Sequence, residues 1–213
     1  MQTLLNPASQ PAHDSFVEKK SEFIGDACHI DSMDDALLFV ESIREMHPKS
    51  RHVAYAALYT DESGRLMERM SDDGEPSGTA GKPILDVLRA NDLTDCVVTV
   101  TRYFGGILLG SGGLIRAYAT GAAMAVKAAR LACIVRCQIY RVPLSYTQLG
   151  NMRQLLSVMQ VEETDAQYTD TVTLTMAVPE DRTAQFESRI RETFNASVVP
   201  EPLTMMSQPV PVE

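Results

Sequence analysis

The sequence has no tryptophan, no long apolar run and only four cysteines in 213 residues. A helix that spans a membrane needs about 20 consecutive apolar residues, so the absence of such a run excludes spanning helices. Residues 1–10 have neither a basic start nor a long apolar stretch, which argues against a secretion signal. We therefore expect a cytoplasmic protein that does not associate with membranes, with reduced thiols rather than a disulfide framework.

Two of the cysteines lie close together, in a run that alternates as a strand does. Cys133 and Cys137 are four residues apart, so they fall on one face of that strand together with Val135. A zinc site needs a second pair of Cys or His ligands, and none lies nearby in the sequence. Core packing is thus the predicted role of these thiols, and we predict no metal site and no cofactor.

Positive charge is scarce. The chain has 19 Lys and Arg against 28 Asp and Glu, for a formal net charge of −9. This balance excludes a protein that coats nucleic acid through bulk electrostatics, because neutralising phosphates requires clustered Lys and Arg. Residues 1–141 carry 15 basic and 18 acidic side chains, whereas residues 142–213 carry 4 and 10. An anionic partner would therefore meet the first part of the chain more easily.

The apolar and charged contents are those of a globular protein, and the length suits two small domains. We predict an α+β fold. Near the start, Ser32 followed by Asp35 is typical of a helix N-terminus. Residues 138–199 have the order βαββαβ, which is typical of a ferredoxin-like domain, with the last strand at residues 196–199. The predicted division is a tail at 1–14, a domain at 15–135, a ferredoxin-like domain at 136–200 and a Pro-rich tail at 201–213.

The first candidate functional segment spans residues 71–83, where three acids and three glycines precede a helix. The free N–H groups and the positive dipole end of such a helix favour anion binding. A standard P-loop is excluded because Pro76 and Pro83 stand where that motif needs Gly and Ser or Thr. The acids could hold Mg²⁺ or could satisfy turn N–H groups, and both readings stay open. The candidate ligand-binding residues here are Ser71, Asp72, Asp73, Gly74, Glu75, Thr79 and Lys82.

The second candidate segment spans residues 102–116, with five glycines in nine residues ahead of another helix. Such glycines suggest positive φ angles or close backbone approach. A dinucleotide fingerprint is excluded because Ile115 stands where its last glycine belongs. Of Tyr103 and Phe104, one is expected in the core and the other could stack on a base. The candidate ligand-binding residues here are Arg102, Tyr103, Gly105, Gly106, Gly110, Gly112, Gly113 and Arg116.

One histidine lies at the start of a predicted strand before these segments. A Ser-His-Asp set can be written from Ser71, His52 and Asp72, but nothing in the sequence fixes their geometry. We therefore assign His52 to the ligand-binding candidates and assign no catalytic residue.

These features follow one another in a recognisable order: residues 19–24, His52, residues 71–83 and residues 102–118. The order and content resemble the signature of the IMPACT family, in particular its bacterial YigZ-like members, over about residues 15–200. The resemblance implies an N-terminal α/β sandwich similar to the second domain of a small-subunit ribosomal protein. It also implies a ferredoxin-like C-terminal domain similar to the last domain of elongation factor G.

The resemblance further implies association with RNA, the ribosome or a translation factor, and hence a non-catalytic regulator of translation. The family's eukaryotic regulators act on a kinase pathway through a preceding RWD domain, and only about 14 residues precede the shared region here, so that role is not expected. The alternative is a Mg²⁺-dependent enzyme acting on a nucleotide or phosphate ester. In it, Asp72, Asp73 and Glu75 would hold the metal, and the cations at Lys82, Arg102 and Arg116 would clamp a phosphate. No oligomeric state is indicated.

Overall fold

The computed structural model describes residues 1–61 and 63–211 and divides the chain into two compact units, Met1–Cys133 and Ile134–Val210. The α+β fold class predicted from the sequence is confirmed. No helix among the described residues is long and apolar enough to cross a membrane. In chain order, the elements up to the end of the third helix are β1 (Gln2–Leu4), β2 (Ala12–Glu18), β3 (Ser21–His29), α1 (Met33–Met46), β4 (His52–Thr60), β5 (Leu66–Ser71), α2 (Gly81–Ala90), β6 (Cys96–Tyr103) and α3 (Ser111–Ala128).

The first unit is built on an antiparallel sheet in the order β2-β3-β6-β4-β5. Helix α1 packs on one face of this sheet through Phe39 and Ile43, which lie in one core cluster with Val53 and Val97. Helices α2 and α3 cover the other face, with a separate core cluster. The central strands are apolar along almost their whole length because both of their faces are buried. The result is the predicted α/β sandwich.

Helix α3 lies unusually close to the sheet. A Cβ on Gly25 of β3 would stand 2.4 Å from the carbonyl oxygen of Gly121 on α3. A Cβ on Gly121 would in turn stand 3.0 Å from a methyl carbon of Val100 on β6. Glycine at these two positions therefore lets the middle of α3 lie directly against β3 and β6.

The remaining elements are β7 (Leu131–Leu144), α4 (Tyr146–Met159), β8 (Glu162–Tyr168), β9 (Val172–Pro179), a 3₁₀ turn (Glu180–Arg182), α5 (Thr183–Thr193) and β10 (Glu201–Pro211). The strands of the second unit lie in the order β10-β7-β9-β8, so the last strand of the unit adjoins its first. Met152 and Leu156 of α4 and Phe186 and Ile190 of α5 share one core cluster with Leu174 of the sheet. This is the ferredoxin-like βαββαβ arrangement.

Both segments that were predicted as tails contain strands in the structure. Residues 196–199 are not a strand, and the last strand is β10, inside the segment predicted as a Pro-rich tail. Proline is tolerated there because β10 pairs with β7 alone, and an edge strand leaves one row of N–H groups unpaired. Residues 212–213 of that predicted tail lie outside the described residues. At the other end, β1 pairs with the first residues of β7, and Ala12 already begins β2.

Candidate functional site

Both glycine-rich segments line one cavity of about 370 Å³ in the first unit. Its walls come from the start of β4, the loop between β5 and α2, the end of β6, and the loop leading into α3. We refer to it as the cavity. The lining residues are Arg51, His52, Glu75, Pro76, Arg102, Phe104, Leu108, Leu109, Gly110, Ser111 and Leu114.

A buried ion pair forms the floor of the cavity. Arg102 Nη1 donates to Glu75 Oε1 at 2.6 Å, and the Tyr118 hydroxyl donates to the same oxygen at 2.8 Å. The side chains of Arg102 and Glu75 are only 6% and 4% exposed. Burial, together with the negative charge of Glu75, raises the pKa of Tyr118, so its hydroxyl stays protonated and can donate. Within the described residues, Arg102 Nε has no hydrogen-bond partner although it is buried.

Two guanidinium groups lie against the ring of Phe104. The distances from its centroid are 5.9 Å to Arg51 Cζ and 5.4 Å to Arg102 Cζ, within the range of cation–π attraction. Phe104 is 39% exposed. Tyr103, the other aromatic candidate, does not line the cavity, because its hydroxyl is 3.0 Å from His47 Nδ1, just past the end of α1. Tyr103 is the last residue of β6 and Phe104 follows the strand. Tyr103 is half-buried and Phe104 is exposed, so neither is the core residue that the sequence led us to expect.

The start of α3 opens onto the cavity without a cap. Gly110 is its N-cap residue, with a φ of 72°, and no side chain caps it. There is no acidic residue in the first turn. The first N–H to bond back is that of Leu114, which donates to the Gly110 carbonyl. The N–H groups of residues 111–113 have no hydrogen-bond partner in the described chain, so the positive end of the helix dipole is free to meet an anion.

The start of α2, which we predicted to be an anion site, is already occupied by the protein's own carboxylate. Asp72 Oδ1 accepts hydrogen bonds from the N–H groups of Ala80 and Gly81 at 2.9 Å. Its Oδ2 accepts another from Gly78 at 2.8 Å. Burial alone would raise the pKa of Asp72. The three N–H donors together lower it by more than burial raises it, so this pKa lies below its ordinary value. Asp72 therefore stabilises the loop and does not face a ligand.

The other two acids of this segment are also held by protein donors. Asp73 Oδ1 accepts from Arg44 Nη2 and Oδ2 from the Val53 N–H, both at 2.7 Å. Glu75 binds Arg102 and Tyr118. Among residues 1–61 and 63–211, no group of three His, Cys, Asp or Glu side chains is placed to hold a metal ion. The geometry therefore does not favour the Mg²⁺ reading of these acids.

His52 contacts the same loop through one ring nitrogen. Its Nδ1 lies 2.7 Å from the carbonyl oxygen of Asp73. Because a carbonyl can only accept, Nδ1 carries the proton, and Nε2 of the neutral ring is an acceptor. Gly74, at a φ of +85°, lies directly against this edge of the ring, and a Cβ there would be 3.5 Å from Nδ1.

The remaining charged candidates do not line the cavity. Lys82 Nζ is 2.7 Å from Asp86 Oδ2, an exposed ion pair one turn along α2. Arg116 is exposed on α3. Arg116 Nη1 lies 3.7 Å from where a Cβ on Gly112 would stand, beside the first turn of α3. That Lys82 and Arg116 share a ligand with Arg102 stays a prediction.

The small candidate residues mostly shape the two loops. Thr79 Oγ1 donates to the Pro76 carbonyl, and Ser71 Oγ accepts from the Asp73 N–H. A Cβ on Gly105 would stand 1.9 Å from the Lys20 carbonyl, so this glycine meets the β2–β3 turn and not a ligand. Gly106 has a φ of +86°, a Cβ on Gly113 would crowd Leu109, and Gly112 lies in the first turn of α3.

Sequence reasoning missed several lining residues. Arg51 directly precedes His52, the first residue of β4. A basic residue next to a candidate ligand-binding residue was a usable signal for this part of the site. Leu108 is 82% exposed, which no helix or strand pattern indicates. The lining residues that sequence reasoning did not consider are Arg51, Pro76, Leu108, Leu109, Ser111 and Leu114, whereas Phe104 was considered as one of two residues that could stack on a base.

Comparison with known proteins identifies both units. Residues 19–126 match the Impact N-terminal domain, and residues 142–197 match a domain of unknown function, DUF1949. The chain is 36% identical over 181 residues to an IMPACT family member of Haemophilus influenzae, a match that covers 85% of this chain and 88% of that protein. It is 37% identical over 182 residues to the IMPACT family member YigZ of Escherichia coli, covering 84% and 88% respectively.

A solved structure supports the same conclusion. The crystal structure of a hypothetical protein is similar at a TM-score of 0.57 and 32% identity, and the match covers 95% of this chain and 97% of that one. The matched Impact N-terminal domain contains every residue that lines the cavity. By sequence and by fold, the chain belongs to the IMPACT family.

Proposed function

We propose that the protein binds single-stranded RNA in the cavity, without catalysis, and that it regulates translation in this way. One observation carries the proposal. The uncapped start of α3, the exposed Arg51 and the side chain of Arg102 line a single cavity. Backbone N–H groups at a helix start and arginine side chains are common ligands of phosphate.

The charge of the cavity supports binding of a few phosphates rather than a long polyanion. Arg51 and Arg102 face a single carboxylate, that of Glu75, so the lining is net positive in a chain of net charge −9. An acidic protein repels a polyanion everywhere except at such a site. We therefore expect site-like binding with a modest dependence on salt.

The lining also has apolar side chains that suit a nucleobase. Pro76, Phe104, Leu108 and Leu109 lie there, and Phe104 and Leu108 are exposed. Bases stack on aromatic side chains with little regard to sequence, and only an unpaired base has its face free. This favours a single strand over a duplex.

The link to translation rests on the resemblance to the IMPACT family, which implies association with RNA, the ribosome or a translation factor. The absence of catalysis is proposed because both carboxylate oxygens of Asp72 and of Asp73, and Oε1 of Glu75, accept from protein donors. RNA of the ribosome or of its substrates is then the natural partner.

Arg51→Ala tests the proposal because Arg51 is exposed and has no ion-pair partner among the described residues, so its loss should not affect folding. A short fluorescent single-stranded RNA is titrated at two salt concentrations, and anisotropy is measured. We expect weaker binding and a slope of log affinity against log salt reduced by roughly 0.7, because one phosphate contact is lost.

Arg69→Ala is the matched control, since Arg69 is an exposed arginine of β5 outside the cavity. It changes the net charge equally and should keep wild-type affinity. Equal affinities of the Arg51 and Arg69 variants would refute the proposed site.

A further inference from the structure

We infer that the cavity reads the ribose of its ligand: His52 Nε2 accepts a hydrogen bond from a 2′-hydroxyl, so that the protein selects RNA over DNA. This inference rests on the proposed function and deepens it. Phosphate contacts alone do not distinguish the two nucleic acids, whereas the 2′-hydroxyl does.

One ring nitrogen of His52, Nδ1, is held by the protein. Its Nδ1–H is directed to the Asp73 carbonyl at 2.7 Å. That carbonyl is itself held, because both carboxylate oxygens and the N–H of Asp73 are hydrogen-bonded, to Arg44, Val53 and Ser71. Asp73 adopts a φ of +47°, a backbone conformation that the surrounding contacts must maintain. When the ring is neutral, this anchoring selects the tautomer that has its lone pair on Nε2.

The other ring nitrogen, Nε2, can accept a hydrogen bond from a ligand. Nε2 has no hydrogen-bond partner in the part of the chain that the structure describes, and His52 lines the cavity. An acceptor repels the non-bridging oxygens of a phosphate, which are acceptors too. His52 is therefore suited to a donor on the ligand, as are the Glu75 carboxylate and the Ser111 hydroxyl of the same lining, whereas the arginines and N–H groups are suited to anions. Of the two side chains with an obligate acceptor, Glu75 already accepts from Arg102 and Tyr118 through Oε1.

His52 adjoins the two arginines of the lining. Arg51 precedes it in the chain, and Arg102 is its cross-strand partner on β6. Phe104 and Leu108 line the same cavity and would contact the base. In a nucleotide the sugar joins the phosphate to the base, so an acceptor beside the arginines is placed for the 2′-hydroxyl rather than for an amino group of the base.

The test compares matched uridine oligonucleotides that differ only at the 2′ position: hydroxyl, fluoro and hydrogen. The 2′-fluoro sugar keeps an RNA-like chain but has no proton to donate. Using anisotropy on the full chain, we expect the hydroxyl form to bind about two- to tenfold more tightly than the fluoro form, as one net hydrogen bond implies. In His52→Phe this preference should disappear while the fluoro form still binds.

Two variants sharpen the comparison. His52→Gln keeps a side-chain acceptor and should retain part of the preference. His29→Phe changes a histidine at the end of β3, outside the cavity, and should retain all of it. Thermal melting checks that each variant is folded, and if the His52 variants are not, the comparison of sugars on the wild type decides alone.

Three outcomes would overturn the inference: equal binding of the three sugars by the wild type, an unchanged preference in folded His52→Phe, or a preference that follows the base when cytidine replaces uridine. If the sugars bind equally but Arg51→Ala still weakens all of them, the proposed function stands and only the ribose reading fails. If the wild type binds none of them, both fail.

Discussion

At the scale of single residues, the pair of Arg102 and Glu75 contributes both to folding stability and to the lining of the cavity. Its burial means that each charge depends on the other, because an unpaired ion in the interior is costly. Arg102 also lines the cavity, so its removal would alter folding and binding together. Arg51 is exposed and separates the two.

We predict that Arg102→Ala lowers the free energy of unfolding by about 3–5 kcal/mol, because the Glu75 carboxylate is left buried and unpaired. Adding Glu75→Gln should recover part of this loss, since a neutral amide costs less to bury. Urea denaturation of both single variants and the double variant measures the effect. A double variant as unstable as the sum of the singles would show that the pair is not coupled.

Asp72 provides a prediction that depends on pH. Asp72→Ala should lower the free energy of unfolding by about 1 kcal/mol at neutral pH, as the loss of a helix cap does. The pKa of Asp72 is lowered in the folded state, so its stabilisation is full above the unfolded pKa of about 3.9 and is lost as the pH falls through the folded pKa. The difference between wild type and variant should therefore shrink below about pH 4. The exposed Asp170→Ala serves as control and should cost little at any pH; a gap that widened in acid would contradict this role.

At the scale of elements, the position of α3 depends on two glycines. Gly25→Ala should destabilise the protein by about 1–3 kcal/mol, because the new methyl would meet the Gly121 carbonyl at 2.4 Å and α3 would have to move. Gly150→Ala on α4 is the matched control, since a Cβ there meets nothing within 4 Å. It should be neutral or stabilising by up to about 1 kcal/mol. Denaturation of the two variants side by side checks this, and equal stabilities would mean that the close approach is not needed.

Local signals explain which elements could be predicted from the sequence. The helix start at Ser32 is confirmed, because its hydroxyl accepts from the N–H of Asp35 three residues on. The strand β10 was missed because prolines break a local strand pattern, and only its pairing with β7 makes it a strand.

In the candidate site, too, features with a local sequence signal were predicted and features decided by distant residues were not. Both glycine-rich segments were found, yet the roles of Asp72, Asp73 and Glu75 were not separable. Each is decided by partners distant in sequence, such as Val53 for Asp73 and Arg102 for Glu75. Glycine content marks a loop, but the fold of the loop decides which side chain reaches the cavity.

At the scale of the whole molecule, an acidic chain is proposed to bind a polyanion at one place. Residues 142–213 have 4 basic and 10 acidic side chains, so their net negative charge disfavours binding of an anion. The central claim is thus a claim about location: RNA meets the start of α3 and the end of β6, not the second unit.

The most direct test is amide NMR of the ¹⁵N-labelled full chain during titration with a short single-stranded RNA. We predict the largest shifts at the N–H groups of Ser111, Gly112 and Gly113, because these unpaired donors would bind phosphate, with a smaller change at Phe104. Amides of Ile134–Val210 should change little. The account would be contradicted if the largest shifts fell in the second unit, or at the start of α2, while the amides at the start of α3 did not move.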